Sequence, residues 1–165
     1  MKKIKLTQGK EALVDDEDCE MLMEHKWCAQ QKGNDNFYVV RNSPRDSNGK
    51  QKTIYMHRVI TNVPKGKQVD HINGNTLDNR RENLRTCTRS QNQMNRGRTK
   101  NNKSGYKGIY YAKDKPRFKP WQAQIKHNKK TIYLGYYKTK EEAALAYNKK
   151  AIELFGEYAK LNNVL

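Results

Sequence analysis

Between residues 69 and 92 a carboxylate, an imidazole and two carboxamides follow one another at short spacing. Val69-Asp70-His71-Ile72-Asn73-Gly74-Asn75 leads into Asp78-Asn79-Arg80-Arg81-Glu82-Asn83-Leu84-Arg85 and then Gln91-Asn92. The carboxylate and the last carboxamide can hold a divalent metal through oxygen, the donor that a hard cation prefers. The imidazole can take a proton from water at neutral pH. An Asn can fix that ring by hydrogen bonding, and an oriented base is worth more than a free one. In a chain of formal charge +17, the set points to cation-assisted cleavage of phosphodiester bonds.

These groups need a scaffold, and the local sequence predicts a strand, a loop, a second strand and a helix. Val69–Ile72 is a short strand, and Asn73-Gly74-Asn75 carries strong turn chemistry. Leu84–Thr86 is a weak second strand. Thr88-Arg89-Ser90-Gln91 fits a capping box, with the Thr88 hydroxyl at the N-cap and Gln91 reaching back. Asn92 then falls in the first turns of a helix that faces Asp70 and His71. Two other carboxamides compete with it. Asn79 reads as a loop residue, and Asn95, one helical turn beyond Asn92, reads as a helix-end residue or DNA contact. Both Asn92 and Asn95 stand as candidates for the second metal ligand, with Asn92 preferred.

The stretch resembles the HNH endonucleases of the ββα-metal fold, especially the homing and phage-encoded group whose final His is replaced by Asn. The likeness runs from His57-Arg58 through Val69–Asn75 to Asp78-Asn79-Arg80, Asn83-Leu84 and Gln91-Asn92. It implies that Asp70 and Asn92 are metal ligands, that His71 is the general base, and that Asn83 orients it. Asn at position 92 departs from the commonest pattern. A neutral amide oxygen is a weaker ligand than imidazole for soft metals, which favours Mg²⁺ or Mn²⁺ over Zn²⁺.

The basic character is uneven along the 165 residues. From Arg96 to Lys140 Asp114 is the sole acid, whereas Asp15-Asp16-Glu17-Asp18 and Glu20 offset much of the positive charge earlier. A partner with regularly spaced negative charge, double-stranded DNA first among them, fits best. Cys19, Cys28 and Cys87 form no Cys-x-x-Cys pair, so no structural zinc and no disulfide framework is expected. They read as small core residues of a protein in a reducing compartment. The basic start Met1-Lys2-Lys3-Ile4-Lys5 is followed by no long apolar run, so neither a signal peptide nor a membrane span is expected.

Residues 1–56 read as a strand, a short helix and a hairpin. Thr7–Lys10 is turn-like and Ala12–Val14 is a short strand. Asp15 or Asp16 caps a helix with Met21, Leu22 and Trp27 on its buried stripe. Phe37–Val40 and Thr53–Met56 are strands joined through Ser43–Gly49. The motif alone buries little apolar surface, so this lead segment is expected to supply its core. His57 begins a short helix through Thr61 and reads as a packing residue rather than a ligand.

Arg96–Ser104 has no apolar residue and reads as an extended, self-repelling linker that contacts phosphates, with Arg96, Arg98, Lys100 and Lys103 as the groups. Beyond it the rhythm changes. Tyr106–Tyr111, Trp121–Lys126 and Thr131–Tyr136 are strand candidates, with turns at Lys113–Pro116 and His127–Lys130. Thr139-Lys140-Glu141-Glu142 is a capping box for a helix that runs to about Phe155 and stops at Gly156. Its alanines allow close approach to one sheet face and leave the other polar. The segment resembles the ethylene-response-factor (Apetala-type) DNA-binding domain in Ser104–Ile109, Trp121–Ile125, Tyr133–Tyr137, Glu142–Tyr147 and Leu161-Asn162. That likeness implies a sheet lying in the major groove. It places Lys107, Tyr110, Gln122, Gln124, Lys126, Thr131 and Tyr133 toward DNA. Several arginines of that family are Lys, Tyr or Gln here, which puts its sequence preference in question.

The sequence therefore predicts an α+β chain. A ββα-metal nuclease domain at 1–95 (motif 57–95) is followed by a basic linker at 96–104 and a three-stranded antiparallel sheet packed on one helix at 105–165. The function expected is a Mg²⁺- or Mn²⁺-dependent HNH endonuclease of homing or phage type. The protein is expected to be a monomer or weak dimer. One site severs one strand, so a monomer should nick duplex DNA and two breaks would need a dimer or a second binding event, with Arg85 and Arg89 bracing neighbouring phosphates. A phage or mobile-element protein in the cytoplasm of a bacterial host, associated with its DNA, fits that activity. The alternatives are a non-catalytic DNA-binding transcriptional regulator and an RNA-directed protein, since charge does not separate the two nucleic acids.

Overall fold

The computed structural model describes residues 1–33, 36–99, 101–113 and 118–164. Lys100 and the turn residues Asp114, Lys115 and Pro116 lie outside the described residues. The chain divides into two compact units, Met1–Asn92 and Gln93–Leu165.

In the first unit, β1 (Lys2–Lys5) and β2 (Glu11–Val14) pair as an antiparallel hairpin around a single turn at Thr7–Gly9. The helix α1 (Asp16–Met23) follows. It ends before Trp27, which is buried instead by donating its indole N–H to the Leu22 carbonyl at 2.8 Å. Met21 is exposed rather than on the buried stripe. The strand β3 (Cys28–Gln31), which the sequence did not suggest, pairs with β4 (Phe37–Asn42), and β4 pairs with β5 (Thr53–Tyr55). Cys28, on β3, is exposed rather than a core residue, whereas Cys87 is buried. Then come α2 (Met56–Thr61), β6 (Gln68–His71), β7 (Leu84–Cys87) and α3 (Arg89–Met94).

The small sheets share one core. Ile4, Ala12, Val14, Leu22, Trp27 and Val39 from the lead segment pack with Met56, Ile60, Val69 and Leu84 of the motif. The loop between β6 and β7 is also tied to the lead segment through the backbone. Leu13 N–H donates to the Leu77 carbonyl (2.9 Å), and Asn79 N–H donates to the Leu13 carbonyl (2.8 Å). The acidic run does more than offset charge. Buried Asp18 accepts from Arg81 Nε and Nη2 at 2.8 and 2.6 Å, and Asp15 accepts from the Arg81 backbone at 2.7 Å.

In the second unit, β8 (Ile109–Tyr111), β9 (Trp121–His127) and β10 (Lys130–Tyr137) form an antiparallel sheet with β9 in the centre. The helix α4 (Lys140–Phe155) covers one face. Ala143, Ala144, Tyr147 and Ala151 pack with Ile109, Ala123 and Ile125. Thr139 Oγ1 accepts from Glu142 N–H at 3.1 Å, so the capping hydroxyl stands where the sequence placed it. Gly108 is required by close approach: at φ +78°, a Cβ there would lie 2.4 Å from the Tyr147 ring and 2.5 Å from the Gln124 carbonyl. Asn162 pins the C-terminal tail, accepting from Lys107 N–H at 2.6 Å while its own N–H donates to Asn148 Oδ1 at 2.7 Å.

A bulge shapes β10. Tyr133 stands opposite Gln124, but Gly135 stands opposite Ala123 and Tyr136 opposite Gln122. Simple alternation from Tyr133 would bring Gly135 and Tyr137 to the uncovered face. The extra residue instead brings out Tyr136 and turns Tyr137 toward the core. Part of the expected linker is folded as well. Ser104 is buried, its hydroxyl donating to the Ile109 carbonyl at 2.9 Å, and Asn102 Nδ2 donates to the Tyr106 carbonyl at 2.8 Å.

Candidate active site

The strands β6 and β7 set Asp70 opposite Arg85 and His71 opposite Leu84. The Asn-Gly turn chemistry closes the loop tightly after His71. Gly74, at φ +83°, donates its N–H to the His71 carbonyl at 2.9 Å. Asn73 Nδ2 donates to Asp78 Oδ2 at 2.9 Å. Asp78 is buried and gripped by Arg80 at 2.8 and 2.7 Å, and that guanidinium holds its carboxyl below the usual carboxylate range.

His71 is buried at the end of β6. Its Nε2 lies 3.4 Å from Asn79 Oδ1. Burial lowers its pKa from the ordinary histidine value, while the Asn79 oxygen and the Asp70 and Asp78 carboxylates pull the other way. The ring is therefore uncharged at neutral pH, the form a base needs. His57, from α2, stands edge-on to it with centroids 5.2 Å apart, and the Tyr38 ring lies 5.9 Å from His57 and 6.4 Å from His71. Desolvation, with His71 and Arg58 adding to it, pushes the His57 pKa down to about 3.

The two internal carboxamides differ in what they touch. Asn83 Oδ1 accepts from Asn73 N–H at 2.9 Å, and its Nδ2 donates to the Asp78 carbonyl at 2.8 Å. Asn83 thus spans the loop and holds its backbone. The carboxamide whose oxygen reaches the imidazole is that of Asn79, which is fully buried and more than a loop residue. Nothing in the sequence ranks Asn79 over Asn83, since both are Asn at loop positions and only the fold aims them.

Asp70 is buried, and its Oδ2 accepts from Arg85 Nε at 2.9 Å and Nη2 at 2.7 Å. Arg85 is correspondingly drawn in, its side chain 12% exposed. The guanidinium supplies the counter-charge for a buried carboxylate. Asn92 Nδ2 donates to Gln68 Oε1 at 2.9 Å. Gln68 and Asp70 are two apart on β6 and so share a face, which brings Asn92 to the side of the hairpin that carries Asp70. With its nitrogen committed there, the amide oxygen is the atom Asn92 offers a cation. A carboxylate and an amide oxygen on neighbouring elements are hard donors and fit Mg²⁺ or Mn²⁺. The α3 cap forms as the sequence suggests, with Gln91 Oε1 accepting from Thr88 N–H at 2.8 Å and Gln91 N–H donating to Thr88 Oγ1 at 3.2 Å. Asn95 follows the last residue of α3 and falls in the second unit.

A family model described as HNH endonuclease matches residues 55–94. An uncharacterised HNH endonuclease of Acanthamoeba polyphaga mimivirus is 35% identical over 111 residues, 67% of this chain and 55% of the relative. Protein 3.8 of Escherichia phage T7 is 31% identical over 98 residues, 59% of this chain and 78% of that protein. Residues 55–94 are an HNH endonuclease family domain. The chain spans only about half of the mimiviral relative's length. No solved structure matches. The matched HNH residues run from the end of β5 to the end of α3, so they enclose His57, Asp70, His71, Asn79, Asn83, Arg85 and Asn92.

Of the DNA-facing residues expected from sequence, Arg89, Arg96, Arg98 and Lys103 are exposed. On the uncovered face of the second sheet, Tyr110, Lys126, Thr131 and Tyr133 are exposed and Gln122 and Gln124 are half-buried. Lys107 is the exception. Its Nζ donates to the Met94 carbonyl at 2.7 Å, and desolvation, with Lys160 nearby, lowers its pKa to about 8. It is a structural cation, not a surface one. Among the described residues no helix is long and apolar enough to cross a membrane.

Proposed function

We propose that the first unit is a metal-dependent DNA endonuclease whose ββα-metal core is β6, β7 and α3. One observation carries the reading. Within the matched HNH residues, an uncharged buried imidazole is next in sequence to a buried carboxylate, on a strand that α3 touches through Asn92. His71 is the general base. Asn79 stands against its ring, 3.4 Å from Nε2. The uncharged imidazole is the group that draws a proton from the attacking water. Asn79 orients the ring directly, and Asn83 does so at one remove by holding the loop that follows it. Asp70 and Asn92 would hold Mg²⁺ or Mn²⁺. Such an ion, when bound, supplies positive charge for the reacting phosphate and its leaving oxygen.

The second unit, in the same proposal, is an Apetala-type DNA-binding domain that targets the cut. Support comes from its covered and uncovered sheet faces and from exposed Lys126 on the uncovered one. A single active site makes the expected product a nick. The relative from an Escherichia phage favours a phage or mobile-element protein acting on DNA in the bacterial cytoplasm. Incubation of supercoiled plasmid tests the activity. Open circles should form with Mg²⁺ and not with EDTA, whereas intact plasmid under both conditions would contradict the proposal.

A further inference from the structure

The uncovered face of the second sheet carries an ordered pair of glutamines and, among the described residues, no arginine. Register places Tyr110, Gln122 and Tyr136 in one row across the strands, Gln124 and Tyr133 in the next, and Lys126 and Thr131 in the third. The bulge in β10 is what brings Tyr136 into the first row. There its hydroxyl accepts from Gln122 Nε2 at 3.3 Å. That bond fixes the carboxamide plane while using one of its two N–H groups. The other N–H and the carbonyl oxygen remain as a donor and an acceptor side by side. Adenine offers the complement in the major groove, N7 accepting and N6 donating, whereas guanine offers two acceptors that suit Arg or Lys. Gln124 repeats the group two residues on, roughly 7 Å along the strand. Stacked base pairs are about 3.4 Å apart, so that separation matches two base-pair steps.

We propose that this face reads A·T pairs, Gln122 and Gln124 each taking an adenine in the major groove about two steps apart, with Tyr136 as the residue that positions Gln122. The occupant is duplex DNA. Exposed Lys126, in the third row of the face, and exposed Lys129, in the turn after β9, supply charge complementary to phosphates, while the half-buried glutamines supply selectivity. The proposal rests on the second unit being a DNA-binding domain and adds what it selects.

The test is selection of random-sequence duplexes by the full chain in EDTA, where cleavage is suppressed, followed by sequencing. Two enriched adenines separated by about two steps are expected. Gln122→Ala should erase one of them, a loss of roughly 5- to 150-fold in discrimination at that position, and Gln124→Ala should erase the other. Tyr136→Phe should weaken adenine preference at the Gln122 position alone, leaving the Gln124 position and the salt dependence of binding as they are in the unaltered chain. Gln122→Arg should move that position toward guanine. These side chains lie on the solvent face, and circular dichroism melts confirm that each variant folds. Enrichment of G·C pairs, or adenine enrichment that survives both glutamine variants, overturns the A·T assignment while leaving the DNA-binding domain intact. Failure of the folded chain to bind any duplex at low salt overturns both.

Discussion

Asn79 and Asn83 show how two identical side chains are separated by where the chain carries them. The Asn83 amide is satisfied at both ends by the Asn73 and Asp78 backbone, so Asn83→Ala leaves buried partners unpaired. It should cost about 1–3 kcal/mol of stability, measured by urea unfolding. Asn79→Ala should instead lower kcat with little change in KM, because its side chain faces the base; a raised KM with kcat unchanged would place it in substrate binding. His57 makes a separate expectation. Its folded pKa, near 3, lies below the unfolded histidine value of about 6.5. The unfolded chain therefore takes up a proton between those values while the native chain does not. Stability is complete above pH 6.5 and falls as pH drops toward 3, by up to about 1.4 kcal/mol per pH unit. His57→Phe should flatten part of that slope in urea titrations run at pH 7.5 and 5. Asp70, His71 and Asn92 were legible as site candidates because their chemistry is distinctive. Asn79, His57 and Tyr136 were not, since a carboxamide or ring acquires its role only from what the fold sets beside it.

At the level of elements, periodicity and capping chemistry located most strands and helices. The Thr88–Gln91 and Thr139–Glu142 pairs fold as their spacing suggests. What escaped was long-range. The strand β3 has the polar sequence Cys28–Gln31 and exists because β4 lies beside it. The bulge in β10 leaves no mark that alternation can detect, although Gly135 stands next to it. Asp18 looked like one acid among several until Arg81, far along the chain, closed on it. Gly108 offers a sharp test of the packing between β9 and α4. In Gly108→Ala the added methyl meets the Tyr147 ring and the Gln124 carbonyl at an unfavourable φ. The thermal transition of the second unit should fall or vanish while that of the first unit is unchanged. An unaltered melt would show that the sheet and α4 have room to spare.

For the whole molecule, the division between units falls within α3, after Asn92, and not at Arg96. Met94 packs into the second core, and its carbonyl receives the Lys107 ammonium. A fragment 93–165 should therefore be more stable than a fragment 96–165, a difference that thermal melts would read. The folded fragment should bind duplex DNA without cutting it, with affinity falling steeply as salt rises. If it binds no duplex, the division of labour proposed for the units fails. The central claim is narrower: His71 is the base of a nuclease. It is tested most directly by comparing the full chain with His71→Ala on supercoiled plasmid in Mg²⁺, with duplex binding measured in parallel. The account expects nicking to slow by about two to four orders of magnitude while binding is nearly unchanged. Nicking by His71→Ala at the rate of the unaltered chain would contradict it.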